Sequence, residues 1–140
     1  MRVADVITES DNICSRYRYD PYEFATDIRH KLIDPKKAGP LIVEWLTDSM
    51  TTSLGMFLND LRILSKAADL KKYPAVRKLV NSHKTAIVTA MLKILKEPTT
   101  VWVSDQTSNV QMIMRDIRAV GLEWPEFAAI ERSINANKIK

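Results

Sequence analysis

The chain has 140 residues, a net charge of +4 and 46% hydrophobic residues, which is typical of a globular domain and not of a disordered chain. The chain has only three glycines, too few for a turn-rich β-protein. It has a single cysteine, which excludes an internal disulfide and a multi-cysteine zinc site. No apolar run approaches the roughly 20 residues that span a bilayer, and no secretory signal is recognisable. We therefore expect a cytoplasmic protein, or one inside a virus particle, with no membrane association.

Helix-start signals are clear in the first third of the chain. Residues 20–23 combine a capping aspartate, a proline in the first turn and a glutamate three positions after the cap. Phe24, Ile28 and Leu32 follow at intervals of four and predict one apolar stripe. Residues 34–40 contain two prolines and a glycine, so we expect a loop there.

The middle of the chain shows helical periodicity from Pro40 to about Lys66, and Gly55 with the polar run 49–53 predicts a kink or two shorter helices. Pro74 and Pro98 are expected to bound the most clearly marked helix, a long one.

The last third predicts a short extended connector over residues 99–103 and a helix that Gly121 ends in a left-handed conformation. Pro125 is expected to open the final helix. The sequence thus predicts an all-α fold: a single-domain bundle of about five to seven helices over residues 1–140. An N-terminal strap is expected over residues 1–19 and a frayed tail over residues 135–140.

Positive charge is concentrated in residues 61–98, which carry nine Lys/Arg and two Asp/Glu, whereas residues 1–60 have a net charge of −3. Several of these cations lie near the expected helix start at Pro74, where the helix dipole is also positive and favours phosphate. Tyr73 offers a stacking face for a single-stranded base. The predicted nucleic-acid or anion-binding residues are Arg62, Lys66, Lys71, Lys72, Tyr73, Arg77 and Lys78. The alternative is a set of solvated helix faces, balanced in space by the acidic N-terminal half.

Two segments have the composition of a protein interface. Tyr17, Arg18 and Tyr19 lie where tyrosine and arginine alternate, and these residue types are enriched at interface hot spots, although the segment would equally serve as a strap on the bundle. Val88, Leu92 and Leu95 form a second apolar strip on the long helix. A helix that is apolar on two sides is either central in its bundle or covered by a partner, so the strip also predicts a protein partner or a homo-oligomer.

No catalytic or metal-binding motif is recognisable, so we expect no enzyme, no cofactor and no metal. His83 is expected to be a core residue with a satisfied hydrogen bond, and His30 to lie near a helix end. The two histidines and Cys14 lack metal-ligand spacing.

The helix–Gly121–helix pattern is compatible with a DNA-binding helix-turn-helix motif. Its would-be recognition helix, however, carries Glu123, Glu126 and Glu131, which the phosphate backbone would repel. A corner between two helices of a bundle explains the glycine equally well.

The first ten residues read MRVADVITES. Ile7, Thr8, Glu9 and Ser10 give an aliphatic residue, any residue, glutamate and a small residue. This resembles the targeting peptides of head proteins in T4-like tailed bacteriophages, which a prohead protease cuts after the glutamate. The resemblance implies a protein packaged within or upon the phage head. Alternatively, the valines and isoleucine of this segment form an amphipathic turn on the bundle.

The leading hypothesis is a non-enzymatic accessory protein that binds nucleic acid or a protein partner through the basic surface between Arg62 and Lys96. A bacteriophage structural or internal head protein is the second hypothesis. An enzyme without a recognisable motif is the third.

Overall fold

A computed structural model of the protein describes residues 13–96 and 103–139, with side chains for 13–96 and 108–135. Every regular element in these ranges is helical, which confirms the all-α prediction. Within these ranges, no helix combines the length and the apolar character needed to cross a bilayer. The helices are α1 Ile13–Arg16, α2 Pro21–Arg29, α3 Pro35–Thr52, α4 Leu54–Ala67, a 3₁₀-helix Leu70–Lys72, α5 Pro74–Ser82, α6 Lys84–Lys96, α7 Val103–Ala119 and α8 Glu126–Ile139.

The contacts of the chain fall into two compact units, Met1–Ala68 and Asp69–Lys140. The first unit contains α1–α4, and the second contains the 3₁₀-helix and α5–α8. Their formal net charges are −1 and +5, respectively. That the whole chain forms a single domain stays a prediction.

Helix α2 begins as the sequence predicts but ends sooner. The Asp20 carboxylate accepts hydrogen bonds from the backbone N–H groups of Tyr22 and Glu23, at 3.0 and 3.4 Å. The helix ends at Arg29, and Lys31 has a left-handed φ of 59°. The predicted apolar stripe is therefore wrong at Leu32, which is 74% exposed.

The loop predicted for residues 34–40 is wrong, because α3 begins at Pro35 and contains Pro40. The Asp34 side chain caps this helix through the Lys36 N–H, at 3.0 Å. Pro40 cannot donate to the carbonyl four residues earlier, that of Lys36. Both residues are exposed, so water can satisfy that carbonyl and the helix continues.

The break predicted near Gly55 is confirmed, with two helices meeting at Ser53. Ser53 has an extended backbone (φ −170°) and ends α3. Its hydroxyl accepts from the Met56 N–H at 3.0 Å and so caps α4.

The single long helix predicted from Pro74 to Pro98 is wrong, because α5 ends at Ser82 and α6 begins at Lys84. His83 lies at the break, with φ −103° and ψ 14°. The break follows Asn81 and Ser82, whose side chains compete with the backbone for hydrogen bonds. Asn81 also accepts a hydrogen bond from Nε1 of the buried Trp124, at 2.9 Å. This long-range bond thus lies in the last turn of α5.

The first unit is organised around Trp45 on α3. Its ring stacks on Phe24 at 4.7 Å and meets Tyr17 edge-on at 6.2 Å, and we call these three the aromatic cluster. Its indole N–H donates to the buried carboxylate of Asp60 on α4, at 2.9 Å, and the Ser49 hydroxyl donates to the same oxygen at 2.6 Å. A buried carboxylate is tolerated only with such donors, so these bonds fix the pairing of α3 and α4.

The second unit turns sharply between α7 and α8. Gly121 has a left-handed φ of +96°, as predicted, and the buried Trp124 and Phe127 follow it. Helix α8 extends to Ile139, into the segment that the sequence predicts as a frayed tail. The predicted connector over residues 99–103 lies outside the described residues, apart from Val103, the first residue of α7.

Two glycines provide a matched test of these helix ends. A β-carbon on Gly121 would be strained by the left-handed backbone and would lie 3.2 Å from Nη1 of Arg77. We expect Gly121→Ala to lower the free energy of unfolding by about 1–2 kcal/mol. A β-carbon added to Gly55, in α4, would have its nearest neighbour at 3.8 Å, which is ordinary contact. Gly55→Ala should therefore raise the free energy of unfolding by about 0.5–1 kcal/mol. Urea denaturation measures both, and equal signs would contradict the account.

Candidate functional site

The seven predicted anion-binding residues fall into two groups. Arg62 and Lys66 lie on α4 in the first unit. The other five lie in the second unit, on the 3₁₀-helix, at the residue after it and in α5. We call this second group, formed by Lys71, Lys72, Tyr73, Arg77 and Lys78, the 71–78 surface.

The 3₁₀-helix that carries Lys71 and Lys72 is fixed by a buried leucine and by a helix cap. Leu70 is 1% exposed and anchors the 3₁₀-helix, while Lys71 and Lys72 are exposed. Asp69 caps this short helix by accepting from the Lys71 N–H at 3.2 Å. The segment therefore places two adjacent lysine side chains in solvent just before α5 begins at Pro74.

Cations from two elements meet over the turn that follows α7. A β-carbon on Gly121 would lie 3.2 Å from Nη1 of Arg77 and 3.6 Å from Cγ of Lys71. Glycine leaves the space that these side chains use. Because the carboxyl end of a helix carries partial negative charge, the end of α7 favours cations at this position. Both side chains thus pass within 4 Å of the position that a β-carbon on Gly121 would take.

The exposed carboxylates of α8 and the preceding turn are bound elsewhere in the second unit. Arg118 donates to both oxygens of Glu123, at 2.6 and 2.9 Å, and to Glu131 at 3.0 Å. Lys84 lies 3.2 Å from Glu126 in an ion pair without an aligned hydrogen bond. The three glutamates that argued against a helix-turn-helix are therefore structural ion-pair partners at a helix corner.

These contacts change the proton affinities of the groups involved. Hydrogen bonds from Arg118 hold the pKa of Glu123 below 4.5, and those with Glu123 and Glu131 raise the pKa of Arg118. The pKa of Glu126 is lowered chiefly by its own backbone N–H and further by Lys84. The charged forms of Arg118, Glu123 and Glu126 are therefore favoured at neutral pH.

The cations of the 71–78 surface have no such partners. Among the described side chains, no ion pair joins Lys71, Lys72, Arg77 or Lys78 to a carboxylate. The sequence from Leu70 to Lys96 contains no Asp or Glu at all. Lys71, Lys72, Arg77 and Lys78 thus form no ion pair with the described side chains.

Of the predicted partner interface at the N-terminus, Tyr17 has a structural role. Its ring belongs to the aromatic cluster, and its hydroxyl donates to Asp27 at 2.7 Å. Burial and the contact with Asp27 raise the pKa of Tyr17. Arg18 and Tyr19 are exposed and have left-handed φ values of 54° and 60°. In the described part of the strap, Tyr17 therefore packs within the first unit, whereas Arg18 and Tyr19 are exposed.

The apolar strip Val88, Leu92 and Leu95 is half-buried on α6. The fully buried residues of this helix are Ile87 and Met91, and α6 packs against α7 and α8. The strip thus borders the buried face of α6. Self-association through it stays a prediction.

The histidines and the cysteine lie apart. His83 is half-buried at the end of α5 instead of in the middle of a long apolar stripe, and His30 is exposed at the end of α2. Burial, with the charge of Asp48, raises the pKa of the Cys14 thiol well above its usual range, so the thiol is protonated. No cluster of three or more His, Cys, Asp or Glu within the described ranges is arranged to hold a metal ion.

Sequence reasoning missed a small cavity of about 70 Å³ in the first unit. Its lining includes Cys14, Tyr19, Ser49, Met56 and Asp60. The available signal was a charged residue on an apolar stripe, because Asp60 follows Phe57 by one helical turn. The hydrogen bonds that Asp60 accepts explain its burial as structural.

The pKa of Glu123 leads to a pH-dependent prediction. Since its pKa in the folded state is below the ordinary value of 4.5, the Arg118 pair stabilises the fold above pH 4.5 and loses this effect as pH falls through the lowered value. At pH 7, Glu123→Gln should lower the melting temperature by at most about 4 °C. Thermal unfolding should show a smaller difference from the unchanged protein at pH 3 than at pH 7, because the carboxylate loses its charge as the pH falls. A difference of the same size at both pH values would contradict this role.

The relation to known proteins is not established by comparison. The resemblance to phage targeting peptides falls on residues 1–10, which lie outside the described residues. No family model, curated protein or solved structure matches the chain. Its function is therefore inferred from the residues themselves.

Proposed function

We propose that the protein is a non-enzymatic binding protein whose 71–78 surface binds the phosphates of nucleic acid. The supporting observation is the convergence of Lys71 and Arg77 over Gly121, with no carboxylate among the described side chains to pair with either. An anion near this turn is attracted by both cations. Because no described carboxylate forms an ion pair with either of them, the surface favours an anionic ligand.

Several cations in a row favour a polyanion over one small anion. Lys71 and Lys72 precede α5, and Arg77 and Lys78 lie on its second turn. A polynucleotide presents a charge at each phosphate, so it contacts such a row at several points. Tyr73 lies between the two pairs in sequence, where its half-buried ring can meet an unpaired base.

The composition of the surface favours binding without sequence preference. Residues 71–78 contain lysine, arginine and one tyrosine as their polar groups, and no asparagine or glutamine. Lysine and arginine on a polynucleotide backbone fix position, whereas sequence is read by groups that reach base edges. We therefore infer binding driven mainly by charge, for both single and double strands.

The other hypotheses from the sequence have less support. The phage-head hypothesis depends on residues 1–10, although a nucleic-acid-binding protein is compatible with it. For the enzyme hypothesis, a catalytic histidine would need an adjoining cavity. No histidine lines the 70 Å³ cavity of the first unit.

Two adjacent lysine pairs give a matched test of the proposal. Lys71→Glu/Lys72→Glu changes the proposed surface. Lys36→Glu/Lys37→Glu makes the same charge change at exposed positions in the first turn of α3. Binding is measured by fluorescence anisotropy with 30-nucleotide single-stranded and 30-base-pair duplex DNA at 50 mM NaCl.

We expect the Lys71/Lys72 variant to bind both DNAs at least about tenfold more weakly, and the Lys36/Lys37 variant to change affinity by no more than about twofold. Circular dichroism confirms that each variant is folded. If both pairs weaken binding equally, net charge alone governs it and the assigned surface is wrong. If the unchanged protein binds neither DNA, the proposed function is wrong.

A further inference from the structure

The second unit contains a groove that neither the sequence nor the proposed function uses. Its volume is about 340 Å³, and it lies between α7 and α8. Met114 and Ile134 are buried and form its floor, while Gln111 and Asn135 are exposed on opposite helices. An apolar floor with polar sides is the usual composition of a binding site, and sites for compact ligands begin at about 300 Å³.

The spacing of the lining residues gives the direction of the groove. On α7 they are Gln111, Met114, Arg115 and Arg118, at intervals of three, one and three residues, which places them on one face of the helix. At about 1.5 Å per residue, this face extends for about 10 Å along α7. The groove therefore runs along the helix axis for about two turns, a shape that fits a further helix packed against the pair.

The charge along the groove is uneven. At one end, Glu131 is bound by Arg118, so these two charges largely cancel. Arg115 is exposed and lies one turn away on α7. Among the described side chains it has no carboxylate within ion-pair distance. One uncompensated cation thus borders an apolar floor, which is complementary to an apolar side chain that has a carboxylate beside it.

We propose that this groove binds an acidic amphipathic helix of a partner protein. An apolar side chain of that helix contacts Met114 and Ile134, and a glutamate or aspartate about one turn away pairs with Arg115. The exposed amides of Gln111 and Asn135 border the bound helix on its two sides. This is the helix-in-groove mode of recognition. The partner is distinct from the ligand of the 71–78 surface, which is polyanionic and needs no apolar floor.

Three synthetic helical peptides of 16 residues, labelled with fluorescein, serve as probes. The first has leucine along one face and glutamate at the flanking positions. The second has lysine in place of each glutamate, and the third has serine in place of each leucine. Fluorescence anisotropy should show that the first peptide binds at least about tenfold more tightly than either of the others. Equal affinity for the glutamate and lysine peptides, or no binding of the first at 1 mM, would overturn the proposal.

Variants then locate the binding site. Arg115→Glu should weaken binding of the glutamate peptide about tenfold, and Gln111→Glu should weaken it in the same direction. Arg132→Glu is the matched control, because Arg132 is exposed on α8 and does not line the groove. Lys71→Glu/Lys72→Glu tests for general charge effects and should leave affinity within about twofold. Equal losses in Arg115→Glu and Arg132→Glu, with both variants folded, would contradict the assigned groove.

Discussion

Arg118 determines where charge remains on the second unit. By binding Glu123 and Glu131 together, it joins the end of α7 to α8 and removes two carboxylates from the surroundings. Its guanidinium also lies over the ring of Phe127, at 5.1 Å from the ring centre. With Glu126 bound by Lys84, the cations that precede and begin α5 keep their charge. The positive charge left at the 71–78 surface and beside the groove depends on these ion pairs.

Carboxylates near the two cores are accommodated in two ways. In the first, the Asp60 carboxylate is buried and receives N–H and O–H donors from Trp45 and Ser49. In the second, the glutamates of α8 and its preceding turn stay at the surface and pair with cations. The donors to Asp60 offset the cost of burying its charge. A surface pair directs where an external ligand finds free charge.

Local signals in the sequence were sufficient for the caps at Asp20 and Gly121 and for the break near Gly55, because each depends on a few neighbouring residues. The loop predicted around Pro40 was wrong, since the carbonyl that Pro40 leaves without a donor lies on an exposed side of α3, where solvent can satisfy it. The break at His83 coincides with the bond from Trp124 to Asn81, 43 residues apart, which periodicity does not show. The excess of lysine is visible in the sequence. The pairing of Lys84 with Glu126, and of Arg118 with its two glutamates, is not. The groove likewise requires knowing that α7 and α8 pair.

The salt dependence of binding tests the central claim most directly. If four cations of the 71–78 surface contact phosphates, the logarithm of the association constant for duplex DNA should fall with the logarithm of NaCl concentration at a slope of about −3 to −4. In Lys71→Glu/Lys72→Glu the slope should be shallower by about two. A slope shallower than about −1 in the unchanged protein, measured between 50 and 200 mM NaCl, would contradict the account.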